Sequence, residues 1–179
     1  MSMNTLQDLF VEELKDVYNA ERQLVAALPK MAKASDSPDL ADAFSKHLLE
    51  TKGHVTRLEQ IFKELDLPAR GKKCKGMEGL LEEGNEVMEE EGDTRVIDAA
   101  LISAAQRVEH YEIAAYGCLR SYAELLGHRN IVALLQKTLA EEEAADETLT
   151  RLAKRGINAN AAAAGMEEED TGLTAGTKM

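Results

Sequence analysis

Glu109 and Glu112 stand three residues apart in the stretch Arg107-Val108-Glu109-His110-Tyr111-Glu112-Ile113-Ala114-Ala115-Tyr116. In a helix that spacing puts both carboxylates on one side. Their neighbours at helical spacing are apolar: Leu101, Ala105 and Val108 before, Ala115 and Leu119 after. A carboxylate facing a core costs free energy unless something compensates it. Three other segments carry acids or imidazoles in the same setting. Glu21 falls inside the stripe Leu6, Leu9, Phe10, Leu14, Val17, Leu24, Leu28. Glu50 and His54 sit on or beside Leu40, Phe44, Thr51, Val55, Leu58 and Phe62. Glu142 and Asp146 complete the stripe Leu135, Leu139, Leu149, Ala153.

The two halves of the chain share one grammar: a Glu on one helix, then Glu-x-x-x-His or Glu-x-x-x-Asp on the next. Glu21 precedes Glu50 by 29 residues and Glu109 precedes Glu142 by 33. Helices joined by a short turn run antiparallel, so residues equidistant from that turn lie at one height. Each pair can meet across its hairpin. Such a set of ligands in one bundle core suits a pair of metal ions. Carboxylates can bridge two ions and offset their charge, while imidazole takes a terminal position. Without a cation the gathered acids would repel and take up protons. The predicted ligands are Glu21, Glu50, His54, Glu109, Glu112, Glu142 and Asp146. His47, three residues before Glu50, is the competitor: a further ligand, an outer hydrogen-bond donor or a core histidine. Glu143 is a lesser candidate. Glu12, Glu13, Glu59, Glu64, Glu124, Glu141 and Glu147 are assigned to solvent, His110 to surface or interface, and Cys118 to the core as a small residue. Tyr18 and Tyr116, one turn from Glu21 and Glu112, can hydrogen-bond a carboxylate, act as redox relays or fill the core with a satisfied hydroxyl. Cys74 between lysines is a loop cysteine or a reactive thiol.

The elements that must position these groups are helices. The apolar period predicts the first from about Thr5 to Lys33, capped at Asn4 or Thr5, with Pro29 weakening its last turn. Ser37 caps a second helix, which starts at Pro38 and runs to about Leu65. A basic connection, 69–76, leads to a short amphipathic helix over about 77–90. The central helix spans about Thr94–Leu126, with Asp93 as cap and Gly127 just past its end. The last runs from about Arg129 to Lys154 and stops at Gly156. Residues 1–156 form the bundle, and 157–179 read as a mobile tail. Four long helices with a short extra helix in a long crossover make an all-α, ferritin-like four-helix bundle rather than an up-down bundle.

Length and composition agree with this reading. A chain of 179 residues, 44% hydrophobic and 30% charged, suits one domain with a sizeable core. The net charge of −12 argues against non-specific binding to nucleic acid or anionic membrane. No run is long enough to span a bilayer, the start lacks a basic segment followed by an apolar one, and two cysteines make no disulfide framework. A cytoplasmic location is expected. No Gly-rich phosphate loop or Ser/His/Asp grouping is present.

The stretch 108–117 closely resembles the YciF-like bacterial stress-response proteins of the ferritin-like superfamily. So do His47-Leu48-Leu49-Glu50-Thr51, Lys75-Gly76-Met77-Glu78-Gly79-Leu80, Asp98-Ala99-Ala100-Leu101-Ile102 and Thr138-Leu139-Ala140-Glu141-Glu142. The resemblance covers about 4–155. It implies a ferritin-like bundle, a homodimer, and a dinuclear iron or manganese site resembling that of rubrerythrin, whose third helix carries a Glu-x-x-Glu matched by Glu109 and Glu112. Gly53 and Ala145 stand where Glu-x-x-His motifs would place histidines. Three functions are compatible with this: a dinuclear metal protein of stress defence acting on peroxide, a metal-binding or storage protein without turnover, and a structural dimer with a vestigial site.

Overall fold

The computed structural model describes residues 3–164. Its long helices are α1 (Leu6–Ala34), α2 (Pro38–Glu64), α4 (Thr94–Leu125) and α5 (Arg129–Leu152), with the shorter α3 (Lys75–Glu89) in the crossover. No strand occurs among the described residues. Local signals set the ends. Thr5 and Asp8 form a reciprocal capping box at α1, and Ser37 accepts from Leu40 N ahead of α2, with Pro38 in its first turn. Asp93 caps α4, and Gly127 follows it at φ 79°, a left-handed conformation that favours glycine. Pro29 lies inside α1, and the helix continues through it to Ala34. Cys74 caps α3 with its thiol, so the helix starts at Lys75, two residues before the expected start.

Each long helix packs antiparallel to both of its neighbours. α1 pairs with α2 and α4 with α5; α1 also packs on α4, and α2 on α5. Asp98, near the start of α4, is buried and accepts from the backbone N–H of Asp36 (2.9 Å) and Ser37 (2.8 Å) at the α1–α2 turn. At the opposite end His128 stacks on Phe10 and meets Gln7 at 3.2 Å. α3 lies across α1 and α4. Its entry is pinned by Asn19, which accepts from Cys74 N at 2.8 Å, and by Gln23, which donates to Cys74 O at 3.1 Å. Gly76 sits so close to Tyr111 that a Cβ there would come within 2.7 Å of the ring.

The regular helix does break at the expected Gly156, whose backbone is extended in φ (177°) and marks a kink between two helical stretches. Ala153–Ile157 forms a wider π turn, and the backbone continues as helix over 158–164 with Ile157 and Ala164 buried. The rest of the predicted tail, 165–179, lies outside the described residues. No described helix is long and apolar enough to cross a membrane.

The core has two apolar halves. One contains Leu24, Leu28, Leu40, Phe44, Leu101 and Val108, the other Phe10, Leu14, Leu58, Phe62, Tyr116 and Leu119. Each long helix passes from one half to the other through a polar layer.

Candidate metal centre

That layer consists of Glu21 on α1, His47, Thr51 and His54 on α2, Glu109 and Glu112 on α4, and Glu142 on α5, all buried. They converge because each occupies a core-facing position of its helix, at the height where the others do the same. His47 and His54 are seven residues apart, so both face inward two turns, or about 10.5 Å of rise, from each other. Their rings approach to 6.2 Å between centroids.

Two sets of candidate donors result. His47, Glu109, Glu112 and Glu142 each offer one atom within 4.8 Å of the others, and so do Glu21, His54 and Glu142. Glu142 belongs to both sets. His47 Nε2 lies 3.3 Å from Glu109 Oε1 and 3.7 Å from Glu142 Oε2. His54 Nδ1 lies 2.9 Å from Glu142 Oε1 and 3.3 Å from Glu21 Oε1. These are approaches of charge, not aligned hydrogen bonds. Both oxygens of Glu112 and of Glu142, one oxygen each of Glu21 and Glu109, both ring nitrogens of His47 and Nδ1 of His54 are buried without a hydrogen-bond partner. Native interiors leave few such atoms, since each costs about 1–3 kcal/mol. Glu21 does accept a short hydrogen bond from the Tyr116 hydroxyl.

Burial is the first cause of the layer's altered acidity. It pushes Glu109 up to about 8, against the attraction of His47. It pushes Glu112 far above the carboxylate range, reinforced by Glu21, Glu142 and Glu109, and it raises Glu21 against the pull of His54. Burial opposes charge on the imidazoles too, yet the surrounding carboxylates outweigh it. Glu109 and Glu50 lift His47 to about 9; Glu142 and Glu21 lift His54 to about 10. Protons therefore hold the layer together near neutral pH when no cation does.

The structure brings together Glu21, His54, Glu109, Glu112 and Glu142 of the predicted set. Glu50 and Asp146 lie outside both donor groups. Glu50 is half-buried at the edge, 3.7 Å from His47 Nδ1 and 3.3 Å from Lys46 Nζ, and His47 holds its carboxyl below the usual range. Asp146 turns toward α4, accepting from Gln106 Nε2 at 3.1 Å, with exposed His110 3.4 Å away. His47 occupies the inward position instead. Glu143 is exposed. Glu141, assigned to solvent from the sequence, meets His54 Nε2 at 3.0 Å and accepts from Arg57. The clue was available: Arg57 follows His54 by three residues, on the same side of α2. Cys118, expected in the core, is exposed. Cys74 is buried, 3.0 Å from the Tyr111 hydroxyl, and burial pushes its thiol up, away from the reactive thiolate.

Residues 5–162 match a family described as a domain of unknown function, DUF892. Protein YciF of Escherichia coli K12 is 49% identical over 162 residues, spanning 90% of this chain and 98% of that one. The crystal structure of the E. coli stress protein YciF superposes with a TM-score of 0.84 over 87% of this chain and 99% of that one. The YcfI protein of Rhodopseudomonas palustris superposes with a TM-score of 0.81 at 43% identity, over 83% and 95% of the respective chains.

Proposed function

This chain belongs to the DUF892 family, and from that premise we propose that its polar layer is a dinuclear metal site of the ferritin-like, rubrerythrin-resembling kind, serving bacterial stress defence. The observation that carries the reading is the set of buried, unpartnered carboxylate oxygens and imidazole nitrogens on four different helices. Protein groups alone leave them unsatisfied; bound cations would satisfy most of them. His47, Glu109, Glu112 and Glu142 would hold one ion, and Glu21, His54 and Glu142 the other. Glu50 stands at the site's margin beside His47. Oxygen donors with a minority of imidazole suit iron or manganese.

Iron or manganese held there would supply redox chemistry toward peroxide. The chain's own residues set the conditions. The two apolar halves keep bulk water away. A ligand carboxylate such as Glu109, whose Oε2 has no protein partner, would take and return a proton at the site. Tyr116 orients Glu21 through its hydroxyl. Metal analysis of the purified protein, followed by oxygen evolution on adding peroxide, tests the reading. Two ions per chain with oxygen release support it in full; two ions without turnover reduce it to a binding or storage protein. No metal, in a fold indifferent to chelator, replaces it with a structural role. The family resemblance supports a homodimer, and the acidic chain with a buried thiol suits the cytoplasm.

A further inference from the structure

The two ends of the polar layer meet the outside differently. Beside His47 a cavity of about 40 Å³ enters the seam between α2 and α5, lined by Ala43, Lys46, His47, Glu50, Glu109 and Ala145 among others. That is room for water-sized guests. Its lining grades from exposed Lys46 and Ala144, through half-buried Glu50 and Ala145, to buried His47 and Glu109. The seam stays open because alanines stand on both sides of it. At its inner end are the unpartnered ring nitrogens of His47 and the unpartnered Oε2 of Glu109.

The other end is closed. Glu21, His54, Glu142 and Tyr116 are 0% exposed. The outward nitrogen of His54, Nε2, is taken by Glu141 at 3.0 Å. Glu141 is in turn held by Arg57, whose Nε donates to Thr138 Oγ1 at 2.8 Å. This clamp fixes the ring so that Nδ1 faces Glu21 and Glu142. An imidazole whose far nitrogen is anchored by a carboxylate is a better oriented and more basic ligand.

We propose that the two metal positions are inequivalent: a ported one at His47, Glu109 and Glu112, which exchanges its ion and meets small molecules through the α2–α5 seam, and a sealed one at Glu21 and His54, locked by the Arg57–Glu141 clamp. This rests on the two-ion reading above. Glu50 then has a role although it lies outside both donor groups: its carboxylate stands on the path in and receives the incoming cation. Arg57 and Glu141 are positioning residues that act through His54.

The test is metal release. The full chain is loaded with two equivalents of Mn²⁺ and mixed with excess chromogenic chelator. Two phases of equal amplitude are expected, separated by about tenfold or more in rate. Ala145→Leu should slow the fast phase about tenfold and leave the slow one unchanged; Ala144→Leu, at an exposed position that tolerates bulk, should do the same. Glu141→Gln should accelerate the slow phase about tenfold and leave the fast phase alone, in keeping with the 10–100-fold effects of such outer partners on metal affinity. Release in one phase, or seam substitutions that slow both phases alike, overturns the inequivalence while the two-ion reading stands. Failure of the parent chain to take up two equivalents overturns that reading first, and is seen before any rate is measured.

Discussion

Glu112→Leu should change the sign of its effect on stability according to whether metal is present. Glu112 is 0% exposed, and neither of its oxygens has a partner. Burial, and then Glu21, Glu142 and Glu109, set its acidity far above the ordinary range, so the metal-free protein carries a neutral, unsatisfied carboxyl. Exchanging such a group for an apolar side chain of similar size recovers roughly 1–3 kcal/mol. For a chain of this length, 1 kcal/mol moves the midpoint by about 2–4 °C. The variant should therefore melt about 2–12 °C higher than the parent in chelator. With metal the order reverses. A ligand at a thousand times its Kd stabilises the parent by about 4.1 kcal/mol, more than the variant's head start, and the variant, short of one donor, forfeits most of that. Thermal melts followed by circular dichroism, in EDTA and in Mn²⁺, read both arms. A variant that melts below the parent in chelator would show that the oxygens were satisfied and that Leu leaves a packing defect. A variant that keeps the parent's full metal response would remove Glu112 from the site.

Stability in chelator should fall as pH rises from about 6.5 toward 8. The folded chain holds protons on Glu109 up to about 8, where an unfolded Glu has lost its proton above 4.5, and on His47 and His54 up to about 9 and 10, where an unfolded His loses its proton near 6.5. In that window the native state binds more protons than the unfolded one, so raising pH costs stability. Metal affinity should rise over the same range as protons leave the ligands; denaturant midpoints and metal titrations at pH 6.5, 7.25 and 8 check both. Asp98→Ala removes two charge-assisted hydrogen bonds to the Asp36 and Ser37 N–H groups of the α1–α2 turn, which should cost about 3 kcal/mol in urea unfolding. Gly76→Ala drives a methyl against the Tyr111 ring and should cost about 1–3 kcal/mol, relieved by Tyr111→Leu in a double-mutant cycle.

The helices and most of the buried acids were legible because one signal reports both. An apolar stripe marks the inward face, and a carboxylate on that stripe must go inside with it. Glu21, Glu109, Glu112 and Glu142 are on the stripe and buried. Glu50 was read as inward because the bundle template pairs a Glu with a following His. The inward steps on α2 are Leu40, Phe44, His47, Thr51, His54, Leu58, in fours and threes, and Glu50 precedes Thr51 by about 100° of rotation. Asp146 continues the period of α5 but lies one turn beyond Glu142, where Gln106 of α4 takes it up. A stripe fixes the face, not what the neighbouring helix offers at that height. Cys118 shows the converse, since two residues from buried Tyr116 a helix has turned its other side outward. Past Gly156 composition misled, because small and polar residues also make a packed helical extension.

The placement of the histidines shows how the proposed site, which lacks Glu-x-x-His, would serve two ions. In that motif each imidazole comes from the same helix turn as its own carboxylate, so two helices must each supply one. Here α2 supplies both, at two heights, and each meets a different partner: Glu109 for His47, Glu21 for His54. α5 is thereby freed from carrying an imidazole, and its one buried acid, Glu142, lies within 3.7 Å of both rings. Ala145 then has no ligand to be, and its small size opens the seam toward His47. The departure from the common motif and the route into the site are the same substitution seen from two sides.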